Sequence, residues 1–349
     1  MLGLLRSLLT SCHLLAVSVV AVGPIVCLWL EWRGARQGDE AASEAGRRLA
    51  QATLWMLVIG AGLGAIDLAI VWASSPPSDP YLSAWALIPP RRIWFGVAEL
   101  AFFALCMAGY VWGWRRMPRV WHRALAVLAA TNLLYHFPPL FSAVTVASTR
   151  DSLLTIDGPL PYDRLMRLLF DAETLSRVAH MVLAAMVVTG VTLMWLGLPR
   201  RGEPSRETAD HRPIAWGGRM ALAAAVLQLP VGVWILWMLP PPLRDRFLMS
   251  DSWTTGLFAI GVVVVLGLLH HLAAAALGDV EPGNIYRAIA LTAIVFLLMV
   301  AAGQRARSVA RRSAAFSTHS IRHVSSEPTV LAAGQVATPL PAERWASSD

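Results

Sequence analysis

The hydrophobic positions of this chain fall into eight long runs separated by short polar segments. A helix needs about 20 apolar residues to cross the hydrocarbon core of a bilayer, and each run has about that length. The ten-residue segments of alternating polarity that mark a transmembrane β-barrel do not occur. The pattern predicts an all-α integral membrane protein with about eight transmembrane helices. The predicted spans are residues 8–30, 51–73, 93–114, 123–147, 175–197, 214–239, 254–277 and 285–303.

The polar segments predict how these spans are grouped. A linker at residues 198–213, rich in Pro, Arg and Gly, divides them into two packed bundles, which we place at residues 1–200 and 201–303. Residues 304–349 become polar and rich in Ser, Ala, Thr and Pro, with a basic start, which predicts a disordered tail. The first run lacks a small-x-small cleavage site, so we interpret it as a retained helix rather than a signal peptide.

The arginines predict how the chain is oriented. The loops at residues 31–50, 115–123 and 198–213 hold four arginines each, twelve in all, against eight in the three loops opposite them. Cytoplasmic loops carry the excess of positive charge, so these loops are expected in the cytoplasm. The expected location is the inner (cytoplasmic) membrane, with the N-terminus outside. The arginine-rich tail favours the reverse orientation.

Composition supports a membrane protein and excludes several other classes. Mean hydropathy is +0.55 and charged residues make up only 15% of the chain, whereas soluble domains carry roughly a quarter. All 29 basic residues are arginine, giving a net charge of +7. They lie at the ends of apolar runs and in the tail, so a lipid bilayer is the expected partner rather than nucleic acid. The three cysteines lie inside apolar runs and form neither a disulfide framework nor a covalent haem motif.

Ionisable side chains inside the spans are the candidates for function, because a charge near the bilayer centre costs at least roughly 2.5 kcal/mol. At 1.5 Å per residue, four of them lie about 8–10 Å from the face where the chain begins, and His136 lies deeper, at about 16 Å. Three other histidines fall near the opposite face, where polar tips reach water easily. The first four are His13, Asp67, Glu99 and His180; the other three are His122, His270 and His271.

Histidines on bundle helices have two interpretations. Imidazole supplies an axial nitrogen to a b-type haem without covalent attachment, which makes His13 and His180 candidate iron ligands. Interhelical hydrogen bonding is the structural alternative. His136 precedes Pro138 and Pro139, which are expected to kink the fourth span. A kink beside a histidine fits a haem pocket, and a packing kink with a hydrogen-bonded histidine is the other interpretation.

Four segments carry a pattern, namely Cys12-His13-Leu14-Leu15, Gly62-Leu63-Gly64-Ala65-Ile66-Asp67, Gly113 to His122, and Val178-Ala179-His180 followed by Thr189-Gly190. In this order they resemble subunit I of the cytochrome bd quinol oxidases. The third is similar to the family's Gly-Trp, an arginine two residues later and a histidine eight residues after the Trp, and an asparagine within the next helix corresponds to Asn132. The fourth resembles the stretch that holds the family's low-spin haem ligand.

The resemblance implies a membrane b-type haem protein of a respiratory chain, with haem b, or haem d as a further cofactor. His13 would ligate a high-spin haem, and Glu99 and Asp67 would flank it or relay protons. His180 would ligate a low-spin haem, with Met249 or His136 as its partner. A second membrane subunit is expected on the same ground.

The chain also departs from the family. The loop that binds quinol is reduced here to about residues 240–252, so the electron donor is either quinol or a partner subunit. Two alternatives stay open. One is a b-type cytochrome without oxygen chemistry, and the other is a haem-free membrane scaffold or transporter.

Overall fold

The computed structural model describes residues 2–74, 76, 79–199 and 211–326, with side chains described from residue 3 to residue 308. Eight of its helices are long and apolar enough to cross a membrane, which confirms the predicted fold class. They are α1 (Leu2–Gln37), α2 (Glu40–Ser74), α4 (Pro90–Trp112), α5 (Arg119–Ala147), α8 (Ala172–Leu196), α9 (Arg212–Met238), α11 (Ser252–Ala276) and α12 (Pro282–Ser326).

Short helices fill two of the connections on the face where the chain begins. Asp79 caps α3 (Pro80–Ala86) by accepting a hydrogen bond from the backbone N–H of Tyr81. The connection between α9 and α11 is also short and helical, and it ends in a π-helical turn, Arg246–Ser250. The short helices are α3 (Pro80–Ala86), α6 (Asp151–Leu154), α7 (Tyr162–Leu169) and α10 (Pro241–Asp245).

The first helix lies at the centre of the described structure. Its apolar window is 56% buried, whereas that of α2 is 11% buried. One core cluster joins α1, α2, α4, α5 and α8, and a second joins α8, α9, α11 and α12. Leu193 belongs to the first cluster and Met194 to the second, so α8 packs into both. Residues 1–307 form one compact unit.

Two segments with other predictions are helical along their length, and the kink expected at Pro138 and Pro139 stays a prediction. Pro138 and Pro139 both lie inside α5, which runs unbroken from Arg119 to Ala147. The last helix continues to Ser326, past residue 304, where the tail was predicted to begin. The alternation of arginine and alanine there favours helix, since both have high helix propensity. Residues 327–349 and the predicted bundle boundary at residue 200 lie outside the described residues.

Candidate functional site

His13 is held against α2 by one ring nitrogen. Its Nδ1 lies 2.8 Å from the carbonyl oxygen of Gly60. Because a carbonyl only accepts, Nδ1 carries the proton and Nε2 keeps a free lone pair. A Cβ at Gly64 would lie 2.6 Å from His13 Cε1, so only a glycine leaves space for the ring. Within the described part of the chain, Nε2 has no hydrogen-bond partner.

Asp67 lies about one turn further along α2, beside a chain of polar side chains. Thr10 Oγ1 donates to Asp67 Oδ2 at 3.0 Å. Gln304 Nε2 lies 3.5 Å from Thr10 Oγ1, and Ser7 Oγ donates to Gln304 Oε1 at 2.7 Å. The other Asp67 oxygen, Oδ1, is buried without a hydrogen-bond partner among the described residues. The α12 helix therefore contributes to this end of α1 and α2.

Glu99 and His136 are brought together between α4 and α5. His136 Nδ1 lies 2.7 Å from Glu99 Oε1 and 3.2 Å from the carbonyl oxygen of Asn132. Asn132 Nδ2 donates to the carbonyl oxygen of Glu99 at 2.8 Å. The expectation that His136 lies deeper than Glu99 is wrong, because depth was counted from span ends that do not lie at equal heights. Glu99 is 7% exposed.

The relative height of His13 and His180 follows from a contact lower in the bundle. Thr189 Oγ1 lies 3.4 Å from the carbonyl oxygen of Ser18. His13 precedes Ser18 by five residues and His180 precedes Thr189 by nine, which at 1.5 Å per residue is about 7.5 Å and 13.5 Å. If both helices cross in the same direction, His180 lies nearer the starting face by about 6 Å, so the two depths match less closely than expected.

Met249 lies in the π-helical turn and is 87% exposed. His180 is on α8 and is half-buried, and Gln228 Nε2 approaches its carbonyl oxygen at 3.3 Å. Its Nδ1 is buried with no partner in the described structure. The described geometry therefore gives Met249 no contact that would orient it as a ligand.

His122 is part of a saturated polar network at the opposite end of the bundle. Its Nδ1 lies 2.9 Å from Glu31 Oε2, and its Nε2 lies 2.8 Å from the carbonyl oxygen of Tyr110. Tyr110 OH and Arg123 Nε also donate to Glu31, at 3.0 and 3.1 Å. The imidazole stacks on the Tyr110 ring with centroids 4.0 Å apart.

This burial corrects the expectation that His122 reaches water, since it is only 5% exposed. The carboxylate of Glu31 draws it into the protein, and sequence reasoning missed that partner. A charge at the end of the first run looks like an ordinary boundary residue. One feature of the sequence could have indicated the contact. His122 and Arg123 are adjacent in the chain and lie at the same end of the bundle as Glu31, so their charges could be expected to meet. His270, by contrast, is exposed.

The donor set fits haem ligation by single histidines. A ligating histidine normally gives its second ring N–H to a carbonyl or carboxylate, which fixes the tautomer and the ring. His13 has this arrangement with the Gly60 carbonyl. His136 has it with the carbonyl of Asn132, while a Glu99 carboxylate oxygen lies 2.7 Å from the same nitrogen without a hydrogen bond of good geometry. Among the described residues there is no cluster of three or more His, Cys, Asp or Glu side chains suited to a bare metal ion.

Comparison with known proteins relates the fold to one class. No protein-family model and no curated protein sequence matches the chain. Among solved structures, it is similar to the bd oxidase from Geobacillus thermodenitrificans, with a TM-score of 0.67 and 13% identity, over 87% of this chain and 86% of that chain. The chain is thus an integral membrane protein with eight candidate spans. Its fold is distantly related to that of a bd oxidase.

Proposed function

We propose that this chain is a membrane haem protein that transfers electrons in a respiratory chain, with His13 as an iron ligand. The observation that carries the proposal is the arrangement of the His13 ring. Its Nδ1–H is fixed by Gly60 and its Nε2 is unoccupied, and the Gly64 position leaves space for the ring. A histidine that served only to join helices would gain nothing from a free Nε2 in an apolar bundle.

Haem bound here would supply a one-electron redox centre, and haem b, or haem d in addition, is the expected cofactor. The protein would fix the iron through His13 Nε2. His180 would hold a second haem, since its Nδ1 is a buried polar atom that lacks a partner.

Two acidic groups would hold protons near these ligands. Glu99 is buried, and its Oε1 lies 2.7 Å from His136 Nδ1. Asp67 accepts a hydrogen bond from Thr10 through Oδ2, and its Oδ1 is buried without a partner among the described residues. Paired groups of this kind carry protons where an electron arrives in a low-dielectric interior.

In the fullest form of the proposal, the electrons come from quinol and reduce oxygen. Because the connection between α9 and α11 is short, a second membrane subunit is the alternative electron donor. A relay without oxygen chemistry would use the same haem ligands. Oxygen consumption with a reduced quinol separates these two forms, because only the oxidase consumes oxygen.

A haem-free scaffold or transporter is the competing function, and the Glu99–His136 contact favours it, because both side chains find partners between helices. The experiment is a pyridine haemochrome spectrum of the chain purified in detergent. We expect near-stoichiometric haem, with His13→Ala losing the high-spin signal and His180→Ala the low-spin signal. Protein that folds without haem would contradict the proposal and favour the scaffold.

A further inference from the structure

The helix α8 carries three buried side-chain polar atoms without a hydrogen-bond partner among the described residues. They are Thr174 Oγ1, Arg177 Nε and His180 Nδ1. Successive members are three residues apart, so they follow one side of the helix at intervals of about 4.5 Å. Native proteins leave few buried polar groups unpaired, so three within two turns indicate a missing partner.

Two of these atoms require an acceptor. Arg177 Nε–H is a donor only, and the Thr174 hydroxyl can donate. Thr192, on the same helix, gives its hydroxyl to the carbonyl of Val188 four residues earlier, at 2.8 Å. Thr174 makes no such bond, although it is 0% exposed. The absent partner is therefore an acceptor lying beside Thr174 and Arg177.

The guanidinium group of Arg177 is held in place through its NH2 group. Its NH2 group donates to Glu173 Oε1 at 2.8 Å, and Arg150 donates to Glu173 Oε2 at 3.2 Å. Glu173 is 3% exposed, so it fixes both guanidinium groups at the buried end of α8. The Nε–H of Arg177 is therefore fixed in orientation and has no hydrogen-bond acceptor among the described residues.

We propose that Thr174, Arg177 and His180 form one binding site for a prosthetic group that carries a carboxylate. His180 would bind the iron, and Thr174 and Arg177 would receive a carboxylate of the same haem. The inference rests on the proposed haem function. Carboxylate oxygens match the donors in number and kind, and guanidinium–carboxylate hydrogen bonds are among the strongest in proteins.

Enclosure explains why bulk water does not supply the acceptor. All three atoms have almost no solvent-accessible surface. A partner must therefore enter while the helices around α8 are open. A prosthetic group inserted during assembly does so, and its carboxylate then stays sealed against the donors.

The test compares Arg177→Gln and Thr174→Val with Arg167→Gln as the matched control. Arg167 lies on α7, is exposed and pairs with Asp163. We measure haem retention on dilution by the pyridine haemochrome, and the midpoint potential of the low-spin haem. Both site variants should retain haem about tenfold less tightly, since a hydrogen bond to a charged group is worth at least that factor. Arg177→Gln should also lower the potential, because a nearby positive charge favours the reduced iron, and Arg177→Lys should restore it.

Thr174→Val separates a ligand role from a structural one. If the hydroxyl is unpaired in the haem-free protein, valine should leave thermal stability unchanged or raised while haem retention falls. If Arg177→Gln does not fold, this variant decides alone. Wild-type protein with haem but no change in either site variant overturns the inference and leaves the proposed function standing. Wild-type protein without haem overturns both.

Discussion

His13 and His122 lie at opposite ends of the same bundle and use their rings in opposite ways. His122 has both nitrogens occupied, by Glu31 and by the Tyr110 carbonyl, and its ring is stacked. His13 has only Nδ1 occupied, by Gly60. A saturated ring can hold helices together but has no lone pair to offer. The difference between a structural histidine and a ligand therefore lies in the second nitrogen, which a sequence does not display.

The largest expected effect is on the free energy of unfolding, through the network around His122, where both ring nitrogens are hydrogen-bonded. Glu31→Ala leaves His122, Tyr110 and Arg123 without their common acceptor, and breaking a buried pair costs about 3 kcal/mol or more. The control is Glu44→Ala, whose ion pairs with Arg47 and Arg48 are more exposed and are expected to contribute less than about 1 kcal/mol. Unfolding in mixed detergent measures both. An equal loss in the two variants would show that the Glu31 network is not a main support.

The second largest effect is expected at His13, from a substitution that removes no polar atom. Gly64→Ala places a Cβ 2.6 Å from His13 Cε1, whereas Gly62→Ala meets nothing within 4 Å. Overpacking typically costs about 1–3 kcal/mol, and here the movable group is the ring. We expect Gly64→Ala to perturb the high-spin haem spectrum and Gly62→Ala to leave it unchanged. Identical spectra for the two variants would remove the steric argument for His13.

The variant Glu99→Gln tests whether His136 behaves like His13, as a candidate ligand, or like His122, as a structural histidine. His136 has Nδ1 on Glu99 and Asn132 and Nε2 free, like His13. We expect a stability loss of only about 1 kcal/mol, because the hydrogen bonds of Asn132 to the Glu99 carbonyl and of His136 to the Asn132 carbonyl do not involve the carboxylate. If His136 binds iron, haem affinity should fall about 10- to 100-fold, as for other supporting partners of ligands. Unchanged haem binding with a stability loss near that of Glu31→Ala would place His136 with His122.

The smallest effect is a pH dependence at the starting face. Burial raises the pKa of Asp171, but hydrogen bonds from Arg150 and the Glu173 N–H outweigh it and hold that pKa below its ordinary value. A depressed pKa stabilises the folded state above the unfolded value, about 3.9, and this is lost as pH falls through the folded pKa.

Asp171→Asn should therefore lower stability at neutral pH by less than about 1 kcal/mol and converge with wild type in acid. Asparagine retains the helix cap that Asp171 provides for α8, so the loss reports the ion pair. Thermal midpoints between pH 3 and 7 measure it. Asp163→Asn, in an exposed pair with Arg167, is the control and should show a weaker dependence. A constant difference across this range would contradict the account.

The sequence predicted the spans well and the contacts poorly, for a physical reason. Twenty apolar residues specify a membrane helix with little help from other helices, so all eight spans appear where the hydrophobic runs lie. Which side chains meet depends on helix rotation and height. The contact between Glu99 and His136, and the burial of His122 by Glu31, arise between helices and leave no local pattern. Gly64 was visible as part of a glycine run, but its role against His13 was not.

Haem content per folded protein shows whether His13 is ready to bind iron and His122 is not. His13→Ala and His122→Ala should be purified in parallel, with thermal midpoints and pyridine haemochrome spectra recorded on the same samples. We expect His13→Ala to keep its thermal midpoint and lose high-spin haem, and His122→Ala to lose stability and keep haem in the fraction that folds. Full haem in His13→Ala, or equal haem loss in both variants, would contradict this expectation.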